Sequence, residues 1–124
     1  MQHQKLSLHQ ELLLEAQELS GTGSFIINFS DPSKNVYTPE YKRIFEIEDL
    51  TTFDNFFEFV HPEDRELVKE QAMEGYRSGG RFEMRYRYNK SGTEKTIHSK
   101  GFIVSKDGRP LIIRGIVREV TISV

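Results

Sequence analysis

Few side chains in this sequence of 124 residues have the chemistry needed at a reacting centre. Because the chain has no cysteine, it cannot form a thiolate nucleophile, a disulfide relay, or a cysteine-ligated zinc or iron–sulfur centre. Two of its four histidines, His3 and His9, lie in a polar leader where we expect a solvated role. No glycine-rich phosphate loop, pair of catalytic carboxylates or Ser-His-Asp set stands out. We therefore expect no catalytic residues and no metal site, and a domain that is not itself an enzyme.

The other two histidines, His61 and His98, are the candidates for an acid–base group or a metal ligand. His61 precedes a proline, two acids and an arginine, which is typical of a helix start because proline fits the first helical position and acids suit the dipole. We interpret this segment as structural, with Asp64 as a capping carboxylate and Arg65 as a surface or tethering cation. We expect His98, on a predicted strand, at the surface. The structural motif consists of His61, Pro62, Asp64 and Arg65.

Composition indicates a soluble intracellular domain. The 17 basic and 19 acidic residues are interleaved and give a net charge of −2, so the charge pattern of a nucleic-acid-binding protein is missing. No apolar run approaches the roughly 20 residues of a membrane-spanning helix. The first residues lack the apolar segment of a secretory signal. We predict a cytoplasmic location, no nucleic-acid partner and no direct membrane insertion.

Apolar residues recur at helical spacing near the start of the chain, and Gly21 supplies a helix stop. A helix this short is marginal alone in water, so its apolar stripe needs a partner surface. That surface is either the sheet of its own domain or a second copy of the chain. We assign residues 1–19 to this capping or dimerisation helix and predict a homodimer. The dimer contacts are Leu8, Leu12 and Leu19.

The remaining residues, 20–122, are predicted to form one α+β domain. Two β-prone runs precede three short helices, and from residue 81 the apolar period changes to two, which indicates strands. This order indicates a five-stranded antiparallel sheet with the helices on one face. The last strand is apolar on both faces, so we expect it to be covered on both sides. The predicted strands span residues 23–29, 35–37, 81–88, 93–105 and 110–121. The helices begin at Thr38, Thr51 and His61, and we expect the Thr38 hydroxyl to cap the first of them.

This layout and four motifs resemble the PAS fold family, specifically the branch whose core helix opens with His-Pro-Glu/Asp-Asp-Arg. Phe25 and Thr96 stand where the family usually has tryptophan, and Glu119 replaces the aspartate of its Gly-x-x-x-Asp-Ile-Thr ending. The resemblance covers about residues 20–121. Its motifs are HPEDR at 61–65, FEMRYR at 82–87, SG at 91–92 and GIVREVT at 115–121.

The resemblance implies a signal-input or assembly module, upstream of a histidine kinase, diguanylate cyclase or similar output domain in the same polypeptide. It implies that a change leaves through the terminal strand into a following helix, so the chain is expected to be part of a larger protein. Flavin-adduct photoreceptors of the superfamily need a cysteine, which excludes a covalent flavin adduct here. Haem-binding relatives carry a histidine on the long helix, and residues 63–78 contain none, so we do not expect haem. The cofactor, if the domain has one, is not determined by the sequence.

A group of aromatic residues and one methionine is expected to lie between the helices and the sheet, where it could line a small-molecule cavity. The alternative is a filled core, because a domain of this size needs most of its large apolar residues to close its interior. The sequence leaves both possibilities open. The candidate ligand-binding residues are Phe45, Phe56, Phe59, Met84 and Tyr86.

The last strand also carries the predicted signal-exit hinge, Glu119 and Thr121, which share one strand face. A nearby cation such as Arg118, Arg114 or Lys5 would hold the acid and set the direction in which the chain leaves. Two other functions stay open. One is a ligand-free dimerisation module, and the other is a small α+β enzyme that uses a histidine as its acid–base group.

Overall fold

The computed structural model describes residues 7–47, 56–77 and 80–120. Within them, the helices are α1 (Leu8–Ser20), α2 (Pro39–Phe45), α3 (Phe56–Phe59) and α4 (Pro62–Arg77), and the strands are β1 (Thr22–Asn28), β2 (Val36–Tyr37), β3 (Arg81–Tyr88), β4 (Lys95–Lys106) and β5 (Arg109–Val120). Neighbouring strands are antiparallel, in the order β2-β1-β5-β4-β3. The predicted α+β class is confirmed. Residues 51–55, where a helix start is predicted, lie outside the described residues.

The leading helix α1 begins and ends at residues that favour these positions. Gln10 N–H donates to Ser7 Oγ at 3.1 Å and Ser7 N–H donates to Gln10 Oε1 at 2.9 Å, which forms a capping box. Gly21 closes the helix in the left-handed region with φ of 68°. No residue of α1 is buried. The exposed fractions of the predicted dimer contacts are 84% for Leu8, 63% for Leu12 and 89% for Leu19.

Strand alternation and register give the sheet two different faces. The face toward α2 and α4, called the inner face, carries Phe25, Ile27, Phe82, Met84, Tyr86, Tyr88, Ile97, Ser99, Ile103, Ile113 and Val117. The opposite face, called the outer face, carries Arg81, Glu83, Arg85, His98, Lys100, Phe102, Arg114, Ile116 and Arg118. The helices of the core therefore cover one face, as predicted.

Helix α2 packs directly on β1 because Gly23 has no side chain. A Cβ at Gly23 would lie 2.4 Å from the backbone nitrogen of Tyr41, which is too close for any other residue. Thr38 was expected to cap α2, but its hydroxyl makes no bond to the helix. Thr38 Oγ1 instead accepts from Ser24 N–H at 2.9 Å, because β1 runs alongside the start of α2. The glycine and the threonine together fix α2 against the sheet.

The expectation that β5 is covered on both faces is wrong for the described part of the chain. On the inner face, Val117 is 2% exposed and packs in the core. On the outer face, Ile116 remains 38% exposed. The strand is central in the sheet, so its neighbours β1 and β4 shield its edges while its outer face stays open.

Candidate functional site

A cavity of about 280 Å³ lies between the inner face of the sheet and the helices α2 and α4. Protein interiors are close-packed, with few voids larger than a water molecule, so this core is not completely filled. Phe57 is 39% exposed and stands at the rim of the cavity. The lining, called the aromatic cavity below, comprises Phe25, Ile27, Tyr41, Phe45, Phe57, Val68, Phe82, Met84, Tyr86, Ser99, Ile103, Ile113 and Val117.

The structure brings three of the five predicted ligand-binding residues together. These are Phe45, Met84 and Tyr86, which line the aromatic cavity. Phe59 does not line it, because α3 ends at Phe59 and the next residue, Val60, forms a β-bridge with Tyr88. The Phe59 ring consequently packs against Tyr88, with a centroid distance of 6.0 Å. The side chain of Phe56 lies outside the described part of the chain.

Sequence reasoning missed much of the lining that the strands supply. The period-two pattern predicts that Phe82, Ile113 and Val117 share buried strand faces, and this pattern is the signal that could have placed them at the cavity. Ser99 carries no such signal, because a small polar residue within a strand is more often exposed. Only the pairing of β4 with β3 and β5 places Ser99 on the inner face.

None of the described residues that line the aromatic cavity is charged. Burial raises the pKa of Tyr41 and of Tyr86 well above the usual 10, so both phenols keep their protons near neutral pH. Ser99 is 5% exposed, and its hydroxyl has no hydrogen-bond partner among the residues that the structure describes. The cavity therefore offers aromatic surface and neutral hydroxyls, which suit an uncharged guest.

Outside the cavity, the HPEDR segment joins the start of α4 to β3. His61 Nδ1 accepts from Glu63 N–H at 3.1 Å, so the imidazole caps the helix. Asp64 is not the cap, which corrects the sequence-based interpretation. Asp64 Oδ2 accepts from the backbone N–H of Arg87 at 2.8 Å and from Arg87 Nε at 2.9 Å, and Oδ1 accepts from Arg87 Nη2 at 2.8 Å. The carboxylate points away from the helix end because β3 provides these three donors.

The contact between Asp64 and Arg87 changes the titration of both groups. The hydrogen bonds from Arg87 are the main reason why the pKa of Asp64 is lowered from 3.8 to about 2. The carboxylates of Asp64 and Glu63 raise the pKa of Arg87 in turn. Arg65 tethers the preceding segment, because its Nε donates to the Val60 carbonyl at 3.1 Å. The geometry of the motif is that of a structural joint.

Lys95 connects the end of β5 with the helix that lines the aromatic cavity. Lys95 Nζ lies 3.6 Å from Glu119 Oε1 and donates to the Ile44 carbonyl of α2 at 2.7 Å. It also lies 4.0 Å from Glu46 Oε2, a buried oxygen with no hydrogen-bond partner in the described part of the chain. Because Phe45, the neighbour of Ile44, lines the cavity, Lys95 links the cavity wall to Glu119.

The cation beside Glu119 is thus Lys95 and not one of the cations expected from the sequence. Arg114 and Arg118 lie on the outer face. Glu119 alternates with them along β5, so its side chain lies on the inner side, where it pairs with Lys95 of β4. Lys5 and Thr121 lie outside the described residues.

His98 was expected at the surface, and this expectation is wrong. His98 is only 7% exposed on the outer face, because the long side chains of the two flanking strands cover its ring. Its Nε2 lies 2.8 Å from Glu83 Oε2, and Arg118 Nε donates to its Nδ1 at 3.4 Å. The hydrogen bond with His98 is the main reason why the pKa of Glu83 is lowered. The cluster is on the opposite side of the sheet from the aromatic cavity.

Among the described residues, no three side chains of the types His, Asp or Glu converge as a cation site. Within the same residues, no helix has both the length and the apolar character that crossing a bilayer requires.

A family model described as the PAS fold matches residues 35–117, which is more than half of the chain. This chain belongs to the PAS fold family. The matched range contains α2 and most of the strand residues that line the aromatic cavity. No curated protein sequence matches the chain.

Solved structures share the fold. A sensory box histidine kinase/response regulator from Burkholderia thailandensis is 24% identical with a TM-score of 0.68, and the match covers 88% of this chain and 84% of that chain. The N-terminal domain of a diguanylate cyclase with PAS/PAC sensor from Marinobacter aquaeolei is 18% identical with a TM-score of 0.63, covering 79% and 94%. A PAS domain from Colwellia psychrerythraea is 12% identical with a TM-score of 0.63, covering 90% and 96%.

Proposed function

We propose that this chain is the sensor domain of a signal-transduction protein and that the aromatic cavity takes up a small molecule. The observation that carries the proposal is the cavity of about 280 Å³ inside the core of a PAS fold. The similar domains named for a sensory histidine kinase and a diguanylate cyclase support a signalling role. In this proposal the domain itself is not an enzyme. Catalysis belongs to a kinase, cyclase or similar output domain of the same cytoplasmic polypeptide.

The contacts of Lys95 support a path for the signal. Tyr41 and Phe45 line the aromatic cavity from α2, and the carbonyl of Ile44 on the same helix accepts from Lys95. Because Lys95 also pairs with Glu119, a shift of α2 when the cavity fills changes how the end of β5 is held. We assign Glu119, with Thr121 after it, as the hinge through which the signal leaves.

Two substitutions of the same type test the sensing role. Val117→Phe places a ring inside the aromatic cavity, whereas Val104→Phe adds the same volume at a site on β4 that is 42% exposed. Native mass spectrometry of freshly purified 124-residue protein should show a bound small molecule in the wild type and in Val104→Phe but not in Val117→Phe. If cell extract adds no bound mass to any of the three proteins and leaves their amide exchange unchanged, the sensing role is wrong.

The second candidate function is ligand-free dimerisation, and two complementary surfaces favour it. Helix α1 carries exposed leucines and the acids Glu11, Glu15 and Glu18, and it contains no lysine or arginine. The outer face forms an open groove of about 770 Å³, in which three cations and one acid surround apolar side chains; the charged residues are Arg81, Lys100, Arg114 and Glu83. An acidic apolar helix of a second copy fits a basic apolar groove of this kind.

Sedimentation at high micromolar concentration tests this second function. Leu12→Ser should shift the protein from dimer to monomer, and high salt should weaken the dimer because exposed charges are screened. Phe29→Ser is the control, since Phe29 is 51% exposed and lies outside both surfaces. Two results would show that α1 does not form a dimer. One is a wild-type protein that is already a monomer. The other is a dimer that stays a dimer when residues 1–19 are deleted.

A further inference from the structure

The volume of the aromatic cavity indicates the size of its guest. An apolar protein cavity of about 150 Å³ binds benzene and stays free of water. The cavity here measures about 280 Å³, roughly twice that volume. Two fused rings match this space, while a single ring would leave much of the lining without contact.

The walls of the aromatic cavity favour a flat aromatic guest. Ring pairs in the wall meet at an angle, with centroids 4.7 Å apart and planes at 46° for Tyr41 and Phe45, and 5.3 Å apart at 45° for Phe25 and Tyr41. Such walls present both ring edges and ring faces, and aromatic groups attract one another in edge-to-face and offset arrangements. The six aromatic residues of the lining are Phe25, Tyr41, Phe45, Phe57, Phe82 and Tyr86.

The charge of the guest is restricted more strongly than its shape. An ionised carboxylate, phosphate or amine would lose its water on entry, and the described lining residues supply no opposite charge to replace it. Exposed cations such as Arg81 and Lys100 are on the outer face, on the other side of the sheet. A guest that fills the aromatic cavity is therefore uncharged.

Ser99 gives the cavity a defined polar point. It lies on β4 between Met84 of β3 and Val117 of β5, in the middle of an otherwise apolar floor. Its hydroxyl makes no hydrogen bond with the described residues and is not among their fully buried unpaired atoms, so it keeps some accessible surface. A guest that fills the cavity removes water from this hydroxyl, and a polar group on the guest that bonds to Ser99 Oγ offsets the cost of that desolvation.

We infer that the aromatic cavity selects a neutral molecule of about two fused aromatic rings with one polar group, and that this group bonds to Ser99 Oγ. The guest's polar group faces the sheet and its ring system lies against α2 and α4. This inference rests on the proposed sensing function, because it names the class of ligand for the same cavity.

Three probes of the same ring system test the inference on the 124-residue protein. They are naphthalene, 2-naphthol and 2-naphthoate at pH 7.5, and binding is followed by titration with NMR detection. Wild-type protein should bind 2-naphthol about fivefold more tightly than naphthalene, the scale of one hydrogen bond. It should bind the ionised 2-naphthoate at least tenfold more weakly than 2-naphthol. Contacts in nuclear Overhauser spectra should link the bound rings to the methyl groups of Met84 and Ile113.

Two serine variants on β4 separate the hydrogen bond from general effects. Ser99→Ala should reduce the affinity for 2-naphthol to that for naphthalene and leave naphthalene binding unchanged. Ser105→Ala is the matched control at an exposed position of the same strand, and should bind all three probes as the wild type does.

The outcomes distinguish this inference from the sensing function itself. If 2-naphthoate binds as tightly as 2-naphthol, or if Ser99→Ala leaves the ratio between 2-naphthol and naphthalene unchanged, the ligand class is wrong while a binding cavity remains. If none of the probes contacts Met84 or Ile113 and none binds more weakly to Val117→Phe, the inference fails. If cell extract also adds no mass to the wild type, the proposed sensing function fails with it.

Discussion

Each of the strands β3, β4 and β5 sends alternate side chains to two faces of the sheet, and the two faces have different roles. On the inner side, Phe45 of α2 is 1% exposed and packs over an apolar floor. On the outer side, Phe102 is 47% exposed, with the guanidinium carbons of Arg81 and Arg114 at 5.5 Å and 6.0 Å from its ring centre. The same type of residue is a core component on one side and a surface contact on the other.

This difference shows how one sheet can separate stability from interaction. Removal of apolar surface from water stabilises the fold on the inner face, where the proposed ligand site is also located. The exposed side chains of the outer face, such as Phe102, are expected to contribute less to stability. Four predictions test this division, in order of decreasing effect on the free energy of unfolding.

The largest expected effect comes from removing an aromatic ring on the inner side. Phe45→Ala should lower the free energy of unfolding by about 3 kcal/mol, the scale of a phenylalanine lost from a core. Phe102→Ala is the matched substitution on the outer side and should cost less than about 1 kcal/mol, since it removes exposed surface and weak cation–π contacts. Urea denaturation measures both. Equal losses would show that the outer face is covered in solution.

The next effect is at the joint between α4 and β3. Asp64→Ala should destabilise the fold by about 2 kcal/mol, because it leaves the partly buried backbone N–H of Arg87 without its charged acceptor. Glu63→Ala is the control, since Glu63 contacts the same guanidinium with a side chain that is 76% exposed. The control should stay within about 0.5 kcal/mol of the wild type. A loss for Glu63→Ala as large as that for Asp64→Ala would contradict the assigned joint.

The same carboxylate predicts how stability depends on pH. The pKa of Asp64 is about 2 in the folded protein and 3.8 ordinarily, so folding favours its charged form. Its contribution of about 2 kcal/mol is complete above about pH 5 and is lost as the pH falls toward 2. In Asp64→Asn this part of the acid dependence should be missing. Chemical denaturation at several pH values compares the two proteins, and parallel curves below pH 4 would disprove the assignment.

The smallest expected effect on stability is at the end of β5. Glu119→Ala should cost less than about 1 kcal/mol, because its side chain is 44% exposed and its ion pair with Lys95 is partly solvated. Addition of 2-naphthol should slow amide exchange at residues 116–120 in the wild type. Glu119→Ala and Lys95→Met should both lose this response. If Glu119→Ala keeps the full response it is not a hinge, and a loss of 2 kcal/mol or more would assign Glu119 to the core.

Much of the fold follows from local sequence signals. Gly21 ends α1, and the period of two around Phe82 and Tyr86 predicts β3, because these signals act within a few residues. The family resemblance is confirmed by the match to residues 35–117. The dimer and the cytoplasmic location stay predictions. The helix-capping roles predicted for Asp64 and Thr38 were wrong, because the N–H groups that bond to these side chains come from strands distant in the chain.

The sequence by itself therefore determined the order of the elements and the α+β class. It also determined which chemistry the chain lacks, above all the chemistry that needs cysteine. Only the tertiary structure decided that a cavity remains in the core, because a void depends on how helices and sheet are spaced and not on any residue type. It also decided that Ser99 faces that cavity and that Lys95 holds Glu119. Strand pairing also brings Arg81, Lys100 and Arg114 together on the outer face, since only register brings alternate residues of separate strands together.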